Sequence, residues 1–322
     1  MKVLKDKRGV VLILVLSVVA LFTAMIVSFG ADESLDIELA YNFRDSLQAQ
    51  YIARAGVEAA ITILSEDDTQ SDSLDDQWAS FAEYAVASAS YLDDAQLSGT
   101  ITDECSKFDL NSLAAVDLKD RGYRIAQFKR LFTLLKIDIT DEELDDLAHA
   151  VIDWIDADSD TDFGAEEEYY QSLDPPYHCK NAPLDSAEEI LLVRGMKPEY
   201  FSGTENYEGI RNYVTVGTKG KININTASET VLRSLSDRFT ENAVNSVLDC
   251  RPFTEQTYDC IKGIDLADGS EESIWIKSVL DVKSARFSAD MKGSLPSGAL
   301  VNVRAVLERI NNSVRIVYYR IY

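Results

Sequence analysis

Histidine and cysteine are scarce in this chain of 322 residues: His149 and His178 are the only histidines, and the cysteines are Cys105, Cys179, Cys250 and Cys260. No Cys-x-x-Cys spacing occurs, which leaves a zinc site, the rival use for these cysteines, short of clustered ligands. Proline is rare as well, with six residues and none in the first 64, so nothing there interrupts a helix. Basic side chains are outnumbered, 31 against 55 acidic ones, for a net charge of −24. Such a surface repels nucleic acid and anionic membrane and favours cations. Also missing are a nucleophile–base pair, a phosphate loop, a metal-hydrolase motif, a regular repeat and a long low-complexity linker. That points away from an enzyme. What is present is a chain of 46% apolar residues, enough for a substantial core and two or three domains.

One long apolar run exists. Val10 to Phe29 carries no charge and, as a helix, spans roughly 30 Å, the thickness of a bilayer's hydrocarbon core. Lys2, Lys5, Lys7 and Arg8 precede it against Asp6 alone, a bias that keeps the N-terminus cytoplasmic and exports the chain beyond Gly30. A secretory signal peptide is the alternative. It calls for a shorter apolar region with a small-residue cleavage site behind it, whereas here Ala31-Asp32-Glu33 comes after the run and the small residue, Gly9, before it. The basic leader ending at Gly9 resembles the leader of type IV pilins and type II secretion pseudopilins. That resemblance implies cleavage by a prepilin peptidase between Gly9 and Val10, with methylation of the new terminus. The fifth mature position, usually glutamate in that family, is Leu14, a departure shared by the minor pseudopilin K subset. A carboxylate inside a bilayer needs a partner, and in a filament that partner is a neighbour's terminal amine. A subunit without the acid makes no such pair with a subunit above, which suits a topmost position.

Past the apolar run, Phe43, Leu47, Tyr51, Ala55, Ala59 and Ile63 recur every four residues. One helix of about 55 residues is expected, with Gly30 as the place for a bend and Glu66-Asp67-Asp68 as its end. Residues 74–92 read as a second helix. LSGTITDECSKFDL reads as a strand pair or a strand and turn. From Asn111 to about Val279 the pattern is helical, and SAEEILLVRGM carries a capping-box start, Ser186 with Glu189, and a stop at Gly195. ALVNVRAVLERI and VRIVYYRIY, separated by Asn311-Asn312-Ser313, read as an antiparallel hairpin, with FSADMKGSL as a further strand. The fold expected is α+β: a long N-terminal helix on an antiparallel sheet, with a large helical domain inserted in it. The boundaries expected are a leader at 1–9, a membrane segment at 10–29, a first sheet part at 30–110, an insert at 111–280 and closing strands at 281–322.

DWIDADSDTDFGAEEEYY is the densest acidic cluster. Asp156, Asp158 and Asp160 stand at positions 1, 3 and 5 of an EF-hand-like loop and Glu167 at position 12, a spacing that suits calcium. Thr161 replaces the glycine of the sixth position, so the loop is not a regular EF-hand. Asp162 and Glu166 add ligand capacity. A merely solvated acidic loop and a carboxylate pair for glycoside hydrolysis are the alternatives. Cys250 and Cys260 flank a turn-like RPFTEQTYD stretch and are the expected disulfide in an oxidising compartment; Cys105–Cys179 is then the second pair by elimination.

KININTA opens a helix with Thr226 or Ser228 as cap and resembles the helix-hairpin-helix phrase of DNA-uptake receptors across residues 222–270. The hairpin position, however, reads Leu235-Ser236-Asp237-Arg238, with no glycine to offer amides to phosphate. A structural helical pair fits better.

IDWIDAD, GAEEEYY, PPY, KNAPLDSAEEILLVRGM and KININTA occur in the order seen in the general secretion pathway protein K family, and the leader and the closing Tyr-Tyr-Arg strand fit too. The resemblance covers nearly the whole chain. It implies a pilin-like fold with an inserted helical domain, calcium held by acids such as Asp156, Asp158 and Glu167, and a single-pass inner-membrane protein with a periplasmic domain. It also implies a place at the pseudopilus tip with minor pseudopilins I and J above the major pseudopilin. A minor pilin at the tip of a type IV pilus is the nearby alternative, and a membrane-tethered DNA-binding module the distant one.

Overall fold

The computed structural model describes residues 7–67, 70–87, 92, 94–161, 164–310 and 313–322. The expectations for Lys2, Lys5, Asp6, Asp162 and the Asn311-Asn312 turn lie outside the described residues.

The helices are α1 (Lys7–Glu66), α2 (Phe81–Ala87), α3 (Leu118–Leu134), α4 (Asp141–Ile155), α5 (Glu167–Gln171), α6 (Pro198–Ser202), α7 (Glu229–Leu235), α8 (Glu241–Cys250) and α9 (Glu271–Val279). The strands are β1 (Gln96–Asp103), β2 (Phe108–Asp109), β3 (Val214–Thr215), β4 (Ile222–Asn223), β5 (Leu280–Asp281), β6 (Arg286–Ser294), β7 (Leu300–Ile310) and β8 (Ser313–Ile321). α1 is a single helix of 60 residues that continues through Gly30. Val10–Phe29 is exposed along it. It is the one described helix long and apolar enough to cross a membrane.

The second half of α1 lies on an antiparallel sheet of order β1-β6-β7-β8. Between β1 and β6 the chain leaves the sheet for all of α3 to α9, so the expected architecture, a helical insert within a pilin-like unit, is what forms. Two short parallel pairs stitch the insert together: Phe108 opposite Val214, and Ile222 opposite Leu280. The second expected helix is shorter than the pattern suggested, since only Phe81–Ala87 is helical among its described residues.

Three apolar cores form among the described residues. Ala53, Val57, Ala60 and Leu64 of α1 meet Leu97, Phe287, Met291, Val303 and Leu307 of the sheet, with Trp78 packed edge-on to Phe287 at 5.2 Å. Phe108, Phe128, Phe132, Trp154 and Tyr170 centre the second core. Leu232, Phe239, Val247 and Ile276 centre the third, among α7, α8 and α9.

The face that α1 buries is not the stripe of Phe43, Leu47 and Tyr51. Phe43 and Tyr51 are each 67% exposed, while Ala49, Ala53 and Ala60 are fully buried. The sheet approaches closely at Ala49, Ala53, Gly56 and Ala60, with Val57 and Leu64 buried beside them. A Cβ on Gly56 would meet Leu97 at 2.8 Å, and one on Gly293 would meet the Ala49 backbone at 2.1 Å. The large side chains at every fourth position are therefore left facing outward.

A buried polar junction ties insert to sheet. Asp103 accepts from Ser284 at 2.6 Å, Thr226 at 2.5 Å and Asn223 at 3.2 Å. Asp72 accepts from the backbone of Ser284 at 2.7 Å and pairs with the guanidinium of Arg309.

Candidate functional site

α4 starts with a capping box, in which Thr140 accepts from the Glu143 backbone and Glu143 bonds back to Thr140. Its apolar residues Leu144, Leu147, Val151 and Trp154 are buried, which fixes where the helix ends. That end carries Asp153, fully buried, and Asp156 at the C-cap, with no basic residue in the last turn. A helix C-terminus carries partial negative charge, so carboxylates there are unfavourable unless a cation offsets them.

The loop after α4 brings acids together. Oxygens of Asp156, Asp158 and Glu166 lie within 4.8 Å of one another. Glu166 is buried, and among the described residues neither of its carboxylate oxygens has a hydrogen-bond donor. Burial, then the nearby Asp153 and Asp156, raises its pKa. A buried carboxylate without donors costs several kcal/mol when ionised, on the order of a lost charged hydrogen bond or more. Asn181 donates from Nδ2 to the Asp158 carbonyl at 2.6 Å, and among the described residues its buried Oδ1 has no donor. Gly164 closes the floor: a Cβ there would stand 2.4 Å from Asp153 Oδ2 and 2.7 Å from the Ala150 nitrogen. Oxygen-only donors, carboxylate-rich and partly desolvated, are the chemistry of a hard cation such as calcium.

Two expected ligands stand apart. Glu167 is committed elsewhere, accepting from His178 Nδ1 at 2.6 Å and from the Cys179 nitrogen at 2.8 Å, and these bonds lower its pKa. Glu167 starts α5, so it is Glu166, one residue earlier, that turns into the cluster. Asp160 is exposed, and its backbone donates to Asp158 Oδ1 at 3.0 Å. Asp153 and Asn181 were missed by counting along a loop. Asp153 falls before its first position, and Asn181 comes 23 residues after Asp158.

Cys250 and Cys260 are disulfide-bonded, with Cα atoms 6.3 Å apart. Cys105 and Cys179 are free, contrary to the second expected pair. Cys105 is buried in the turn after β1, while Cys179 sits beside the acidic cluster with its Sγ 3.8 Å from the Asp153 carbonyl. Gly9 and Val10 are exposed on α1. The expected helix cap at Ser186 is not made: among the described residues its side chain makes no cap hydrogen bond, and the segment is a 3-10 turn. Glu189 instead accepts from Lys180 at 2.7 Å and the Asp185 nitrogen at 2.9 Å. Ser228 caps α7, while Thr226 is drawn to Asp103. The hairpin-position residues are tied inward, Ser236 to Glu272 at 2.5 Å and Asp237 to Arg130 at 2.8 Å. A second acidic group, Asp67, Asp72 and Asp76, is held by Arg309 and by capping bonds such as Ser73 N to Asp76 at 2.7 Å.

Residues 106–216 match the family model of type II secretion system protein K. The type II secretion system protein K of Aeromonas hydrophila is 27% identical over 216 residues, which is 63% of this chain and 63% of that protein, less than two thirds of its length. The putative type II secretion system protein K of Escherichia coli K12 is 27% identical over 234 residues, 70% of this chain and 67% of that protein. In fold, the chain is similar to one in the crystal structure of the GspK-GspI-GspJ complex from the enterotoxigenic Escherichia coli type 2 secretion system. The TM-score is 0.69 at 20% identity, covering 89% of this chain and 99% of that one.

Proposed function

We propose, on the premise that this chain belongs to the type II secretion system protein K family, whose domain it carries at residues 106–216, that it is a non-enzymatic minor pseudopilin capping the periplasmic pseudopilus. The observation that carries this reading is the placing of that helical domain between β1 and β6, over a pilin-like sheet on a long apolar helix. A bulky insert above the sheet obstructs a further subunit from stacking there. Leu14 removes the membrane carboxylate with which such a subunit would pair. Val10–Phe29 spans the inner membrane with the N-terminus cytoplasmic, after prepilin peptidase cleaves between Gly9 and Val10. The partners are minor pseudopilins I and J, with the major pseudopilin below. This reading takes support from the assembly named for the structural neighbour. The test is co-purification of the full chain, in detergent, with minor pseudopilins I and J from the same genome. A stoichiometric complex is expected, together with a mass that places the mature terminus at methylated Val10. A chain that stays monomeric with both partners, or retains its leader, overturns the proposal.

The acidic cluster is read as a calcium site. Asp156, Asp158 and Glu166 would hold the ion, with Asn181 Oδ1 and Asp153 beside them. When bound, calcium supplies positive charge at the C-terminal end of α4 and fastens the 156–166 loop to it. These residues act as ligands and as a clasp on the insert, and no reaction runs there.

A further inference from the structure

β8 is one of the two edges of the sheet, the other being β1. It pairs with β7 and lies last in the order β1-β6-β7-β8. Asn302 and Tyr322 exchange both backbone hydrogen bonds at 3.0 Å. In an antiparallel ladder such exchange alternates, so Tyr319 and Ile321 turn their N–H and C=O groups away from β7, toward the free edge. The two faces of this edge differ. Tyr319 and Ile321 lie opposite Ala305 and Val303 on the α1 face, 39% and 44% exposed. Tyr318 and Arg320 lie opposite Val306 and Arg304 on the other face, where a cleft of about 1030 Å³ separates sheet from insert. Unlike the chain as a whole, 313–322 contains no acid and two arginines. Arg315 is bonded to Glu308 at 2.8 Å. Arg320 has no carboxylate within ion-pair distance among the described residues, and its guanidinium rests 6.0 Å from the Tyr322 ring. Its cross-strand neighbour Arg304 stands 3.9 Å from both Glu104 and Asp290, the outer limit of an ion pair.

We propose that the edge of β8 docks an extended segment of a partner protein whose side chains alternate apolar and acidic. Backbone groups of Tyr319 and Ile321 supply the ladder. Apolar side chains of the incoming strand cover Tyr319 and Ile321, and its carboxylates meet Arg320 at the mouth of the cleft. A second copy of β8 would set cation against cation on that face. A uniformly charged polyanion would meet Glu104, Asp185, Glu188 and Asp290, which also line the cleft. An unpaired, partly apolar edge left bare is a hazard that proteins ordinarily cover.

The proposal is separate from the capping reading, and either can fail alone. The test uses the full chain in detergent and a labelled peptide as long as β8, alternating valine and glutamate, beside one alternating valine and lysine. By fluorescence anisotropy the glutamate peptide binds preferentially, more weakly as salt rises, and it slows amide exchange at Tyr319 and Ile321. Tyr319→Pro removes an amide the β7 ladder does not use, so the sheet stands while binding is lost. Arg320→Glu weakens the glutamate peptide roughly tenfold and favours the lysine peptide. Equal binding of both peptides overturns the proposal, as does binding that survives Tyr319→Pro. Competition by polyphosphate that is insensitive to Tyr319→Pro would make the cleft an anion site instead. A concentration-dependent dimer that excludes the peptide would make the occupant a second copy.

Discussion

Gly293 of β6 lies directly under Ala49 of α1: a methyl group at Gly293 would stand 2.1 Å from the Ala49 carbonyl oxygen and 2.9 Å from the Ala53 nitrogen. Both obstacles are backbone, so no side chain can swing aside. Gly293→Ala must push α1 off the sheet, and overpacking of this kind costs about 3 kcal/mol. Urea unfolding of the full chain in detergent measures it. A midpoint equal to the wild type's would mean that α1 is not seated on β6 as described.

The calcium reading makes a paired prediction. Calcium should raise the melting temperature of the wild type, by roughly 2.7 kcal/mol of added stability at a hundred times its dissociation constant. Glu166→Gln and Asp158→Ala should each remove most of that gain, and Gly164→Ala should do so by filling the floor beside Asp153. Glu167→Gln should leave the gain largely intact, because Glu167 bonds His178 and Cys179. A wild-type melt indifferent to calcium would leave the loop merely solvated.

Much of the fold was legible because it rests on long, strongly patterned segments: an uncharged run continuous with a helix, and two β-branched strands around Asn311-Asn312. The buried face of α1 was not legible, for a physical reason. Ala49, Ala53, Gly56 and Ala60 carry little hydrophobic signal beside Phe43, Leu47 and Tyr51, and what selects them is the closeness allowed by Gly293 on β6. At the acidic cluster, the residue types were readable and the ligand spacing was not. An EF-hand count assumes one continuous loop, whereas here a helix end, a loop and the distant Asn181 converge. Where α5 begins decides between Glu166 and Glu167, and that boundary is set by burial of Tyr170.

Asp72 gives a pH prediction. Burial, the dominant cause, pushes its pKa from 3.8 up to about 6, against the pull of Arg309 and the Ser284 amide. A carboxyl whose folded pKa is raised contributes stability that is full below its ordinary value and lost as pH rises through the folded one. Wild-type stability should therefore carry a declining component between pH 4 and pH 6, on the order of 2–3 kcal/mol. Asp72→Asn should remove that component whatever it does to the baseline through Arg309. Urea melts of both chains across this range, taken as a difference, test it. Parallel profiles would count against a perturbed Asp72.

The exposed stripe on α1 separates assembly from folding. Phe43 and Tyr51 are each 67% exposed, and Leu47 with Tyr51, Ile52 and Leu97 lines an apolar groove of about 610 Å³ beside the sheet. Large apolar side chains left outward on a helix that buries its small ones have little role within this subunit. If minor pseudopilins I and J pack along this face, Phe43→Glu with Tyr51→Glu would bury two unpaired charges in the contact. A penalty of several kcal/mol weakens such a complex by orders of magnitude. The same double substitution should leave the melting temperature nearly unchanged, since exposed positions rarely shift stability by more than about 0.5 kcal/mol. Calcium stabilisation should persist as well, because the acidic cluster lies in the insert. Co-purification and melting, run on the same sample, distinguish the outcomes. Lost assembly with an intact melt places the partner on this face, while intact assembly puts the partner contact elsewhere on the molecule.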